Sequence, residues 1–305
     1  MSVYRAAMDI GTNACRLILV ELKDESEVTL IRQIRTTRIG EGLGQGRLHI
    51  SRNAMDRTLA VLMEYKEIIA AYPVESIRLM GTQALREADN GHAFAAEVKE
   101  KTGFHLEIIT GESEAYLSYI GAVQGIKAID ASISPLVLDI GAGSTELIWR
   151  MGGAEAEKET QQIKGVSAPV GCLRLLERPM NEGQILSALQ DGWGNAENMD
   201  EQGKNTALVA VGGTATTLGA IHLRMKDYDP DALLGLRISD MIIRDQIALL
   251  ESMSADDRLA LPGMMPGRED VLSWGLRILL AAMAYCHQES IMICDRDLLY
   301  GAIYA

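Results

Sequence analysis

Two stretches of this chain pair acids with small and hydroxyl-bearing residues in a way that could handle phosphate. They are "VLDIGAGSTEL" (137–147) and "AMDIGTNACRL" (7–17). In each, an apolar run meets an aspartate, Asp139 or Asp9, and turns at a glycine. Gly141 and Gly11 permit φ > 0, so that successive backbone N–H groups can point into one concavity, a nest for phosphate oxygens. Gly143 would let a phosphate approach with no Cβ in the way, and Ser144, Thr145, Thr12 and Asn13 would add donors. Asp139 and Glu146 beside a bound phosphate would repel it unless a hard cation lies between them. Mg²⁺ suits that place because it prefers carboxylate and phosphate oxygens and keeps part of its water. Asp9 could join through water. A turn-capping role for Asp139 is the bland alternative, and the twin phrase argues against it. A third stretch, "VGGTATTLG" (211–219), sets Gly212, Gly213 and Thr214 at the start of a helix, an anion-friendly end. Taken alone, it fits a tight strand–helix turn equally well.

The elements that must carry these residues repeat. "YRAAMDI", "CRLILVEL" and "EVTLIRQIRTT" read as three strands, followed by the glycine-rich loop "GEGLGQGRL". Ser51 caps a helix, "SIRLMG" is a strand, "TQALREA" a short helix, and Asn90 caps the next helix, which Gly103 ends. "LEIIT" is a strand and "ESEAYLSYIGAVQGI" a helix. The pattern then restarts with "PLVLDIG", "STELIWRM" and "ETQQIKGVSAP" as strands. Asn181 opens a helix, "ALVAVGG" is a strand and "TATTLGAIHLRM" the helix after it. Helices over 239–252 and 268–287, the strand "SIMICD" and the helix "DLLYGAIY" complete the chain. The fold class is α/β. A strand-strand-strand-helix-strand-helix unit is duplicated, with domains over 1–128 and 129–305 meeting near "IKAIDASISP".

Composition narrows the function. A formal charge of −13 disfavours a nucleic-acid partner and sets a global field that any polyanionic substrate must overcome. Cys15, Cys172, Cys286 and Cys294 show no metal spacing and read as reduced, buried thiols. Asp9 stands where a secretory signal would need apolar residues, and no run is long enough to cross a membrane. A cytoplasmic protein with no membrane partner is expected.

With its further motifs, the sequence resembles the exopolyphosphatase and guanosine pentaphosphate phosphatase family of the actin and sugar-kinase superfamily. The resemblance covers almost the whole chain. It rests on "DIGTNACRL", "RIGEGLGQGRL", "GTQALREADN", "ITGESEAYLSYIG", "LDIGAGSTEL", "VGGTATTLGAI" and "LPGMMPGREDVLSWG", in that order. It implies two ribonuclease-H-like, actin-like domains with a cleft between them. It also implies Glu114 as the base that orients the attacking water, Arg86 on the terminal phosphate, Asp139 with Glu146 on the metal, and Ser144 with Gly141 and Gly143 around the phosphate. Without the resemblance, Glu114 is an acid in a helix first turn and Arg86 a surface ion-pair residue. Three positions depart from the family pattern: Ala142 replaces a glycine, and Ala14 and Gln83 replace serines. The chain resembles the short, two-domain members.

The activity implied is hydrolysis of the terminal phosphoanhydride of inorganic polyphosphate. Guanosine pentaphosphate is the alternative substrate, and a non-catalytic polyphosphate or nucleotide sensor is the alternative of another class. A kinase of the same superfamily would need an acceptor site, for which the 211–219 turn is the only hint. Mg²⁺ or Mn²⁺ is the expected metal, K⁺ a possible activator and a homodimer the expected assembly. Arg38, Arg47, Lys164, Arg174 and Arg268 are candidates for a basic lining, with solvated surface charge as the alternative for each.

Overall fold

A computed structural model describes residues 2–23, 26–43, 48–127, 129–130, 132–150, 163–194 and 206–305. Arg47 lies outside them, as does the first part of "ETQQIKGVSAP". Packing divides the chain into two units, Met1–Leu117 with Leu299–Ala305, and Ser118–Leu298.

The first unit opens with β1 (Ser2–Ile10), β2 (Ala14–Lys23) and β3 (Ser26–Thr36), an antiparallel meander. β4 (Val74–Gly81) and β5 (Leu106–Ile108) then add parallel to β1, giving the order β3-β2-β1-β4-β5. From Ala6 to Ile10, β1 is continuously buried, as a strand covered on both faces must be. Helix α1 (Arg52–Ala70) presents Ala54, Thr58, Leu59, Leu62, Tyr65 and Ile69 to the core at helical spacing, and the Tyr65 hydroxyl donates to the Cys15 carbonyl at 2.9 Å. Ser51 caps it as expected, accepting from the Ala54 N–H at 3.3 Å. After β4 come α2 (Gln83–Glu87) and α3 (Gly91–Thr102), the latter ended by Gly103 at φ 82°. Asn90 precedes α3 but does not cap it with its side chain. Its amide instead bonds both backbone groups of Ile50, at 2.9 and 3.0 Å, tying the α1 approach to the α3 approach.

Helix α4 (Gly111–Lys127) contains the division between units. The second unit repeats the meander as β6 (Ser134–Ile140), β7 (Thr145–Arg150) and β8 (Ile163–Ala168). Helices α5 (Cys172–Glu177) and α6 (Glu182–Trp193) follow, then β9 (Thr206–Val211) and α7 (Gly212–His222). Asn181 and Gln184 form a capping box on α6. Next come α8 (Pro230–Leu233), β10 (Arg237–Ser239), α9 (Asp240–Ser252), α10 (Ala255–Leu259), α11 (Leu272–Tyr285) and β11 (Ser290–Ile293). The sheet order is β10-β11-β9-β6-β7-β8. Apart from the antiparallel edge strand β10, it matches the first sheet strand for strand, so the duplicated α/β architecture is present. Helix α12 (Leu298–Tyr304) returns to the first unit. There Arg5 donates to the Ile303 carbonyl at 2.7 Å and Tyr300 shares a 2.9 Å hydrogen bond with Thr29. A Cβ on Gly301 would stand 1.9 Å from the Leu117 carbonyl oxygen, so only glycine lets α12 lie this close.

Four elements escape the sequence patterns. β10, α5, α8 and α10 are each six residues or shorter, too brief to show a period.

Candidate active site

In the first unit, β1, β4 and β5 run parallel as neighbours, so their C-terminal ends lie side by side. Ligand chemistry in open α/β sheets concentrates at such ends. Asp9 lies at the end of β1, Arg86 one turn beyond β4, and Glu114 one turn beyond β5. The Arg86 N–H donates to the Thr82 carbonyl, and the Thr82 N–H to the Ile10 carbonyl at 3.3 Å, which ties α2 to β1. Thr110 caps α4 through the Ser113 N–H at 3.1 Å and receives the Glu114 N–H on its carbonyl, so Glu114 sits in the positive first turn.

Arg86 Nη1 donates to Glu114 Oε2 at 2.8 Å and to the Ile109 carbonyl at 2.9 Å, which fixes the guanidinium against the end of β5. The side chains are 27% and 21% exposed, enough for a substrate to reach them. Burial pushes the Glu114 carboxyl above its ordinary value. Arg86 pulls it down, Asp9 pushes it up and Arg16 pulls it down, and burial prevails. Glu114 is therefore a stronger base than a free glutamate.

Asp9 has a partner of its own. Arg16, directly opposite across the β1–β2 hairpin, donates to Asp9 Oδ2 through Nε at 3.0 Å and Nη2 at 2.8 Å. The turn between them is closed by the Gly11 N–H on the Ala14 carbonyl at 3.0 Å. A strap over 37–40 covers it: Thr37 and Arg38 donate their N–H groups to the Asn13 carbonyl, and Gly40 donates to the Thr12 carbonyl. Asn13 is buried, and its Oδ1 has no hydrogen-bond partner among the described residues.

In the second unit, the same hairpin sets Asp139 opposite Glu146. Directly opposed residues share a face, so two carboxylates stand together. Ser118 donates to Asp139 Oδ2 at 3.3 Å and Ser167 to Glu146 Oε1 at 2.7 Å. The Gly141 N–H closes the turn on the Ser144 carbonyl at 2.9 Å. Here the cover is the start of α5. Cys172 donates its N–H to the Gly141 carbonyl, Leu173 and Arg174 donate theirs to the Ala142 carbonyl, and Arg174 Nε donates to the Gly143 carbonyl at 3.0 Å. Gly212 reaches the site from the end of β9. At φ 77° it adopts a backbone that favours glycine, and a Cβ there would stand 2.9 Å from Asp139 Oδ1. The Arg268 guanidinium lies where a Cβ on Gly213 would be.

Several sequence expectations need correction. Gly11 and Gly141 do not take positive φ. Glycine is needed there because a Cβ would press on the turn's own carbonyl, 3.2 Å from Ala14 O and 3.1 Å from Ser144 O. The Thr145 hydroxyl is not a phosphate donor. It is fully buried and donates to the Val170 carbonyl at 2.5 Å, bracing β7. Thr214 is likewise enclosed, its side chain against Gly275 of α11, so α7 can offer an anion only its backbone and glycines. Ser144 is buried, with its carbonyl engaged by Gly141, and Gly143 is buried beneath Arg174. Thr12 is half-buried under Gly40. Of the lining candidates, Arg174 and Arg268 stand at the turns, Arg38 is on the strap and Lys164 is exposed on β8. Ala142 does not obstruct its turn, because its φ is not positive and its methyl packs against the Cys172, Leu173 and Val271 cluster.

Sequence reasoning missed Arg16, Gly171, Ser118 and Ser167. Arg16 carried a signal, since aligning the two D-I-G phrases sets it against Glu146. The others sit on elements whose contacts with the site are set only by packing.

The donor set at Asp139 and Glu146 fits a hard divalent cation. Among the described residues no group of three or more His, Cys, Asp or Glu gathers to hold a metal. Two carboxylates are what a Mg²⁺ or Mn²⁺ site needs when water and substrate phosphate fill the other positions.

Twin acid-tipped turns on a duplicated α/β sheet, with Glu114 and Arg86 at the strand ends, define a two-sheet α/β protein whose side chains suit phosphate chemistry. The profile of the Ppx/GppA phosphatase family matches residues 19–305, and the chain belongs to that family. It is similar to Exopolyphosphatase 2 of Mycobacterium tuberculosis, 31% identical over 291 positions that take in 88% of this chain and 86% of that one. It is also similar to a bifunctional 3-dehydroquinate synthase/phosphatase of Fusobacterium nucleatum, 29% identical over 98% of this chain and 46% of that protein. The chain thus spans about half the length of that relative. A crystal structure of an exopolyphosphatase from Cytophaga hutchinsonii superimposes with a TM-score of 0.83 at 23% identity, over 99% of this chain and 96% of that one, which shows a shared fold. Among the described residues no helix is long and apolar enough to cross a membrane.

Proposed function

We propose that this chain is an exopolyphosphatase that releases orthophosphate from the end of inorganic polyphosphate. The observation that carries this reading is the Glu114–Arg86 pair, a carboxylate raised by burial and held by an arginine at the strand ends. Glu114 Oε2 is occupied by Arg86, which leaves Oε1 to orient a water and accept its proton. The water oxygen bonds to the terminal phosphorus as the bridging P–O bond breaks. In a loose transition state the proton moves late, so alignment matters more than basicity. Arg86 steadies charge on the transferred group with a planar fork that suits two oxygens. Gly212 and Gly213 offer the backbone of α7 to further phosphates. Asp139 and Glu146 would hold Mg²⁺ or Mn²⁺, which supplies charge neutralisation when bound. The reading includes K⁺ as an activator, a homodimer and a cytoplasmic setting.

The test is orthophosphate release in Mg²⁺ from long polyphosphate, tripolyphosphate, guanosine pentaphosphate and ATP, with Glu114→Gln as control. Release from long polyphosphate that the variant loses supports the reading. Tight binding without release would make the chain a sensor. A preference for guanosine pentaphosphate would select that substrate instead.

A further inference from the structure

In the second unit, each of the two opposed acids carries a serine hydroxyl on one of its oxygens. Ser118 of α4 donates to Asp139 Oδ2 at 3.3 Å. Ser167 stands directly opposite Glu146 in the β7–β8 pairing and donates to its Oε1 at 2.7 Å. The two serines differ in their access to water. Ser118 is 1% exposed, whereas Ser167 is exposed on the edge strand β8. A serine inside a helix is a poorer helix former than alanine, and its buried hydroxyl is costly unless it finds a partner. Here that partner is Asp139. On the other side of the same carboxylate, Gly212 faces Oδ1, where a Cβ would stand 2.9 Å away. Asp139 is therefore held through Oδ2, with Oδ1 turned towards the start of α7.

We propose that Ser118 and Ser167 are positioning residues that set which divalent cation this pair of acids accepts. The inference rests on the reading of Asp139 and Glu146 as ligands of the ion. Ca²⁺ takes about six to eight oxygens and gains from carboxylates that chelate through both of theirs. Mg²⁺ and Mn²⁺ suit a tighter octahedron in which each carboxylate gives one oxygen and water gives others. A hydroxyl donating to one oxygen disfavours chelation through both. Two acids engaged in this way favour the smaller, octahedral ion and work against Ca²⁺. Ser118 carries more of the effect than Ser167, because water can take the place of an exposed hydroxyl but not of a buried one.

Competition for bound Mn²⁺, read by the paramagnetic resonance of the free ion, tests this without turnover. Mg²⁺ and Ca²⁺ are titrated separately against the Mn²⁺-loaded protein, and the ratio of their Kd values is compared across variants. The native chain is expected to favour Mg²⁺. Ser118→Ala is expected to move the ratio about tenfold towards Ca²⁺. Ser167→Ala is expected to move it the same way by less. A merely structural role for the serines would change the Tm, or weaken all three ions alike, and leave the ratio where it is. Alanine favours a helix, so Ser118→Ala is not expected to unfold α4. Ser167→Ala, at an exposed site, reads the same ratio independently. Ratios that stay at the native value in both variants, or that move towards Mg²⁺, overturn the inference. A native chain that binds none of the three ions sinks the reading of Asp139 and Glu146 as ligands. Native Mn²⁺ binding with unmoved ratios sinks the selectivity inference alone.

Discussion

Asp9 and Asp139 end equivalent strands of equivalent sheets, yet the residue across the hairpin is Arg16 in one unit and Glu146 in the other. The backbones agree closely. Each turn closes on the carbonyl three residues after its glycine, at 3.0 Å for Gly11 and 2.9 Å for Gly141. Their covers differ. The first turn lies under the strap 37–40, which meets it partly through the Thr12 methyl, and the second lies under α5, backbone against backbone. Duplication has kept the geometry of the turn and changed its charge. The first unit gathers a base, two arginines and an acid around the strand ends, and the second gathers two acids suited to a cation. One fold carries a paired acid and arginine at the strand ends of one copy and two opposed acids on the hairpin of the other.

The largest expected effect falls on the first unit's base. Glu114→Gln should lower kcat by about 10²–10⁴ with KM little changed, read by steady-state phosphate release. The same variant should be more stable at neutral pH. Between the ordinary carboxylate value and its raised value, Glu114 holds its proton in the folded state more than in the unfolded one, so stability falls as pH rises through that window. Replacing it with a neutral amide removes that penalty. Thermal denaturation should show a higher Tm at pH 7, with the gain fading at pH values below the ordinary carboxylate range.

The second unit's acids come next. Glu146→Gln should raise the Mg²⁺ concentration for half-maximal activity about 10- to 100-fold, while Arg16→Gln should not. If both variants alter the metal requirement equally, the two hairpins do not differ in the way described.

The covers rank third. A Cβ on Gly171 would stand 2.3 Å from the Ala142 carbonyl oxygen, a backbone clash, whereas a Cβ on Gly40 would stand 2.3 Å from the Thr12 methyl, which can rotate away. Gly171→Ala should destabilise by about 3 kcal/mol and Gly40→Ala by about 1 kcal/mol in chemical denaturation. The smallest effect belongs to Ala142→Gly. Loss of one packed methyl should cost about 1 kcal/mol and leave kcat unchanged, because the alanine already fits its turn.

Much of this was legible in the sequence. β1, β2, β6 and β7 declare themselves as apolar runs ending in Asp-Ile-Gly or beginning just after it, and α1 and α6 by their caps and spacing. Glu114 and Arg86 were singled out through resemblance alone, since an acid in a helix first turn and a lone arginine are ordinary residues. The reason for glycine at 11 and 141 was misread, because a sequence shows that a Cβ is missing but not which atom it would strike. Thr145 and Thr214 looked like donors because a hydroxyl beside a glycine turn is chemically apt; the carbonyl of Val170 and the packing of α11 claim them instead.

By itself the sequence determined which residue types sit at the strand ends, the duplication of the α/β unit and the acid that opens each turn, because these follow from periodicity and local backbone chemistry. Tertiary structure alone decided the rest of the electrostatics: that Arg86 grips Glu114, and that burial raises Glu114 as a base. Charge energies depend on distance and on exclusion of water, and both are fixed only when strands and helices remote in the chain come together.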